Sequence, residues 1–189
     1  VIKWLFRRDG DGQAARAAYS SIVAQARRPE FYERLGVPDS LDGRFEMIVL
    51  HVCLLLRRLK GQGGAAEAFG RTVTEALVSD MDASLRELGV GDLAVPKRIK
   101  AMVNGLYGRV GAYEAGLAAE GPRGIEVALE NNVYGTVLDS DPALVAEMAG
   151  YVRRAAAELA RRPVEELVAG RVGFAEPVEP PVPGRAQGC

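Results

Sequence analysis

Apolar residues recur every three or four positions along most of this chain, the period of helices that bury one face. From Gln13 to Arg28 the stripe is Ala15, Ala18, Tyr19, Ile22, Val23 and Ala26, and Pro29 ends it. Phe31 to Ser40 contains Gly36 and Pro38, which forbid a long helix and predict an aromatic-bearing connector. Ser40 or Asp42 can cap a second helix reaching about Lys60. That helix is apolar almost all round, from Phe45 through Val49 and Leu54 to Leu59, so it is expected at the centre with neighbours on several sides.

After the flexible link Gly61 to Gly64, a third helix over about Ala65 to Leu88 carries Phe69, Val73, Leu77, Met81 and Leu85 on one stripe. The run Gly89-Val90-Gly91-Asp92 stops it, and Pro96 suits the first turn of a fourth helix. The fourth stripe is Ile99, Met102, Val103, Leu106, Tyr107, Val110, Tyr113 and Leu117. Ile125 to Tyr134 predicts a shorter helix, and Asp141-Pro142 caps and opens another that ends in Arg161 and Arg162. Pro163 to Ala169 adds a turn or two, and the Pro-rich run from Ala175 extends without folding. No strand is predicted. The fold class is all-α: one irregular bundle of five to seven helices over residues 13–174, preceded by an apolar and basic segment (1–12) and followed by a flexible tail (175–189).

Composition narrows the function more than the fold. The 189 residues are 48% hydrophobic, as an ordinary globular domain is, and 24 basic against 25 acidic residues leave no field that points to nucleic acid. Cys53 and Cys189 form no disulfide framework, so a reducing compartment is expected. The longest apolar run, Met47 to Leu56, is too short at ten residues to span a bilayer, and Val1 to Phe6 is too short for a signal sequence. With His51 the one histidine, the usual zinc sites cannot be assembled from this chain. Phosphate-loop and nucleophile-elbow patterns are missing. His51 and Cys53, two apart on a helix, point about 200° from each other and share no proton. No enzymatic activity, cofactor, metal or small-molecule substrate is therefore expected.

Several polar positions admit two readings. His51 is either a core imidazole hydrogen-bonded inside the bundle or a polar contact at a groove, in line with Arg44 and Arg58 one heptad to either side. Asp80 and Asp82 could hold a cation, but they diverge around the helix; the plainer reading is an Asp82–Arg86 pair on a solvated face. Lys97, Arg98 and Lys100 open the fourth helix, where positive charge opposes the dipole. Solvent screens them, or an acidic partner uses them; RNA would require stacking aromatics that do not interleave the cluster. Trp4, Leu5 and Phe6 beside Lys3, Arg7 and Arg8 either rest at a membrane interface or pack onto the bundle.

Two long motifs carry a family likeness. Phe31 to His51 (FYERLGVPDSLDGRFEMIVLH) and Asp80 to Asp92 (DMDASLRELGVGD) resemble the ubiquinol–cytochrome c chaperone family, as does the Lys97 to Leu117 helix with Tyr107-Gly108-Arg109 and Tyr113. The likeness extends over about Ala14 to Phe174. It implies a chaperone or assembly factor for the cytochrome bc1 complex whose client is newly made cytochrome b. Mitochondrial members of the family act with a small partner, at the ribosome exit and then at the membrane.

The implied location is the bacterial cytoplasm, peripheral on the cytoplasmic face of the inner membrane. A holding factor needs an apolar groove with a charged rim and no catalytic group. The partner-binding candidates are Arg44, His51, Asp80, Asp82, Arg86, Arg109 and Tyr113, with salt bridges and caps joining the helices as their structural alternative. Trp4, Leu5 and Phe6 are the membrane-contact candidates. Two rival classes remain: a lipid or small-molecule binder with a sealed cavity, and an RNA-contacting translation factor using Lys97, Arg98 and Lys100.

Overall fold

The computed structural model describes residues 3–87, 89–121 and 123–178, with side chains from Gly12 onward. Helix α1 (Lys3–Ala26) starts ahead of the predicted Gln13 and ends short of Pro29, which opens the single-turn α2 (Pro29–Glu33). The long helices α3 (Leu41–Leu59), α4 (Gly64–Glu87), α5 (Val95–Ala118) and α7 (Pro142–Arg161) follow the apolar stripes. Helix α6 (Arg123–Asn131) is short, and α8 (Val164–Val168) is the extra turn expected after Pro163. The described residues contain no strand. Six helices of nine residues or more, with two single turns, form the all-α bundle the periodicity predicts.

Local chemistry sets the helix ends. The Ser40 hydroxyl accepts from the Gly43 amide at 3.1 Å and Asp141 accepts from Ala143 at 2.8 Å, each satisfying a first-turn donor. Pro142 fills the position whose missing N–H costs nothing. At the other end of α7, Arg58 of α3 donates to the carbonyls of Leu159 (3.0 Å), which also accepts from the Arg162 amide, and of Arg162 (2.9 Å).

Helix α3 lies at the centre, against α1, α4, α5 and α7. Met47, Leu50, Val52 and Leu55 are fully enclosed, as its all-round apolar sequence requires. Helix α5 packs on α3 and α4 and carries α6, which leans on α7. Residues 175–177, the first of the predicted flexible tail, are tied down. Gln25 donates to the Ala175 carbonyl at 2.9 Å, Glu176 pairs with Arg28 at 2.6 Å, and Arg154 donates to the Pro177 carbonyl at 3.2 Å.

Candidate functional site

A groove of about 470 Å³ opens where α1, α3, α4 and α5 converge. Helical spacing explains who lines it. Leu41, Phe45 and Ile48 (i, i+4, i+7) come from α3; Leu77, Met81, Ser84 and Leu85 (i, i+4, i+7, i+8) come from α4; Arg98, Ala101 and Met102 come from α5. Tyr19 and Arg27 complete it from α1. The floor is apolar, with two thioethers that adapt to an irregular shape. At the mouth Leu41 is 62% exposed, the largest apolar surface the groove offers.

One glycine allows that mouth to form. A Cβ on Gly43 would stand 2.0 Å from the Pro38 carbonyl oxygen, so only a residue without a side chain lets the first turn of α3 press onto the preceding loop. That close approach sets the positions of Leu41, Asp42, Arg44 and Phe45.

The rim is charged. Arg27, Arg44 and Arg98 face Asp42 and Asp80 around the opening. Arg44 is partly engaged, pairing with Asp39 at 2.6 Å. Asp80 accepts from the Tyr19 hydroxyl at 2.7 Å, which ties α4 to α1. Burial, then the bond to Asp80, pushes the Tyr19 phenol upward, so it stays a neutral donor.

Of the seven predicted partner-binding residues, the structure brings Arg44 and Asp80 to this groove. His51 corrects the reading as a surface contact: it is fully buried, among residues that do not line the groove. Its Nδ1 lies 2.7 Å from the Met47 carbonyl and its Nε2 2.5 Å from the Tyr151 hydroxyl. Because a carbonyl can only accept, Nδ1 carries the proton and Nε2 accepts from Tyr151. The ring also packs on Phe31 and Phe174 at centroid distances of 5.8 and 4.8 Å. The proposed ridge of Arg44, His51 and Arg58 is therefore not one surface, since Arg58 is spent on the end of α7.

Tyr113 is the second correction. It is 1% exposed, and its hydroxyl has no hydrogen-bond partner among the described residues. Burial raises its pKa well above the ordinary value and likewise pushes the nearby Cys53 thiol up to about 12. Arg109 is turned inward as a brace: its guanidinium grips both carboxylate oxygens of Glu46, joining α5 to α3. Glu46, only 8% exposed, went unnoticed in the sequence because it sits as one acid in an apolar run.

Asp82 and Arg86 form the expected i, i+4 pair at 2.6 Å, and Arg86 also reaches Asp92 at 2.5 Å. They hold the end of α4 and its following loop and do not line the groove. The side chains of Trp4, Leu5 and Phe6 lie outside the described residues. Among the described residues no helix is long and apolar enough to cross a membrane.

Comparison with known proteins supplies the family. The crystal structure of the Cbp3 homolog from Brucella abortus superposes with a TM-score of 0.81 at 36% identity, covering 94% of this chain and 98% of that one. The ubiquinol-cytochrome-c reductase complex assembly factor 1 of Xenopus laevis is 26% identical over 141 residues, 75% of this chain and 70% of the frog protein. Its counterparts in Mus musculus and Homo sapiens match equally well, but the match spans only 47% and 46% of their lengths. Residues 33–174 match the family described as ubiquinol-cytochrome C chaperone, and they contain α3 to α8 and three of the four groove helices. This chain belongs to the ubiquinol-cytochrome C chaperone family.

Proposed function

We propose that this chain is an assembly factor of the cytochrome bc1 complex that holds newly made cytochrome b in the groove between α1, α3, α4 and α5. It acts by binding alone, at the cytoplasmic face of a bacterial inner membrane, where Trp4, Leu5 and Phe6 help to keep it. The observation that carries this reading is the groove itself: an apolar floor with thioethers, a charged rim, and Leu41 exposed at its mouth. Family membership and the assembly-factor names of its relatives support the client class. The rival lipid or small-molecule binder would need a closed apolar chamber, whereas this groove opens to solvent beside the exposed Leu41, Ser84 and Ala101.

Deleting the gene should lower cytochrome b and assembled bc1 complex in membranes, and unchanged levels would count against the assignment. A photocrosslinker at Ser84 or Ala101 should capture nascent cytochrome b, and Leu41→Asp should reduce that capture. Leu41 is mostly solvated, so the substitution leaves folding intact. Equal capture from the far side of the bundle, for instance from Arg153, would remove the groove from the mechanism.

A further inference from the structure

The outer side of α5 presents residues that folding does not use. Lys97, Lys100, Asn104 and Tyr107 follow one another at intervals of three, four and three, which places them on one side of the helix. All four are exposed, Tyr107 to 72%, and Leu93 in the loop just before the helix is 98% exposed. No acid lies in the first turn of α5. Its one carboxylate, Glu114, is committed to Lys60 at 2.8 Å. Among the described residues neither Lys97 nor Lys100 has an ion-pair partner. Both sit at the helix end where positive charge works against the dipole, so they do not help α5 to form. A single exposed leucine is unremarkable by itself. An exposed leucine in the loop that leads into the helix, followed by two lysines without ion-pair partners and a tyrosine that share one side of it, is a surface with a definite complement.

We propose that this side of the molecule docks on an anionic phospholipid surface, with Lys97 and Lys100 against the headgroups, Leu93 inserted as a short apolar wedge and Tyr107 at headgroup depth. Charge complementarity selects the occupant: the surface is cationic, and the outward side of a helix is convex, which suits a plane of phosphates. Tyrosine and lysine both join an apolar body to a polar tip that belongs at such a boundary. The carboxylate next to the wedge, Asp92, shares Arg86 with Asp82, at 2.5 and 2.6 Å, so these three groups together keep one negative charge. That remaining charge opposes the two lysines and keeps the attachment weak and reversible. This contact is separate from the N-terminal one and does not depend on what fills the groove. It does fix the groove's orientation, because Arg98 and Ala101, one step round the helix from Lys97 and Lys100, line its edge.

The test is co-sedimentation of the full 189-residue chain with vesicles of phosphatidylcholine alone or mixed with phosphatidylglycerol. Binding should require the anionic lipid and fall as salt rises. Lys97→Ala/Lys100→Ala should weaken it roughly 25-fold, about fivefold per lysine. Leu93→Ser should weaken it roughly tenfold through lost apolar burial. All three positions are exposed, and circular dichroism checks that the variants stay helical. Equal sedimentation of the lysine variant and the parent would overturn the proposal, as would binding indifferent to phosphatidylglycerol. Complete loss in a Trp4→Ser/Phe6→Ser variant with the lysine variant unaffected would place the contact at the N-terminus instead. Unchanged vesicle binding with lost capture of cytochrome b would assign this side of α5 to a polypeptide, again against the proposal.

Discussion

Acid should loosen this fold through His51, which is fully buried and is the one histidine of the chain. Burial disfavours the imidazolium and drops the pKa to about 4 from the ordinary 6.5, despite an opposing contribution from the Met47 carbonyl. Proton bookkeeping gives the same direction. Nε2 already accepts the Tyr151 proton, and Tyr151 is itself approached by the Gln25 amide at 3.1 Å. A proton on Nε2 would put a second donor against that hydroxyl and leave the hydroxyl proton without an acceptor.

Above pH 6.5 neither the folded nor the unfolded chain binds a proton here. Between 6.5 and about 4 only the unfolded chain does, so stability falls as pH falls through this window and the contribution levels off below it. The separation of the two values corresponds to about 3 kcal/mol at full development. Urea denaturation at pH 7.0 and 4.5 measures it when the chain is compared with His51→Gln, which cannot titrate. Carboxylates act in both proteins, so the parent should lose about 2–3 kcal/mol more than the variant over this interval. The lone imidazole also gives an unobstructed proton NMR signal, which should hold its neutral-state shift down to about pH 5. A folded-state titration near 6.5, or parallel losses in the two proteins, would refute the reasoning.

Two further outcomes follow from the geometry around the groove. Gly43→Ala should destabilise the chain by about 2–3 kcal/mol in urea titrations, because the new methyl meets backbone at 2.0 Å. Helix propensity alone predicts a gain of nearly 1 kcal/mol for that change, so the sign decides between the two effects. Tyr113→Phe should leave stability unchanged or raise it by up to about 1 kcal/mol, since the hydroxyl it removes is buried without a partner among the described residues; a clear drop in thermal midpoint would show that the hydroxyl is bonded after all.

The helices, their order and most of their boundaries could be read from the sequence, because a helix is built from contacts between residues three and four apart. Periodicity, Ser40 and Asp141 as caps, and Pro142 as a first-turn residue are all local signals. The central place of α3 was local too, since an all-round apolar helix has nowhere else to go. The Asp82–Arg86 pair needed only four residues of separation.

What the seven candidate residues do was decided elsewhere. Glu46 and Arg109 are 63 positions apart, Tyr19 and Asp80 are 61 apart, and His51 meets Tyr151 across 100. Periodicity says which residues share one side of a helix, but not which neighbour that side meets. Polar side chains on buried sides must find partners, and the partners come from whichever helix the chain folds against them. That is why His51 and Arg109 turned inward to partners on α7 and α3, while Leu41 and Met102, unremarked or counted as core, came to line the opening. The Gly43 contact is the sharpest case: a glycine in a helical stretch reads as a weakness, and only the loop folded back beside it makes the missing side chain a requirement.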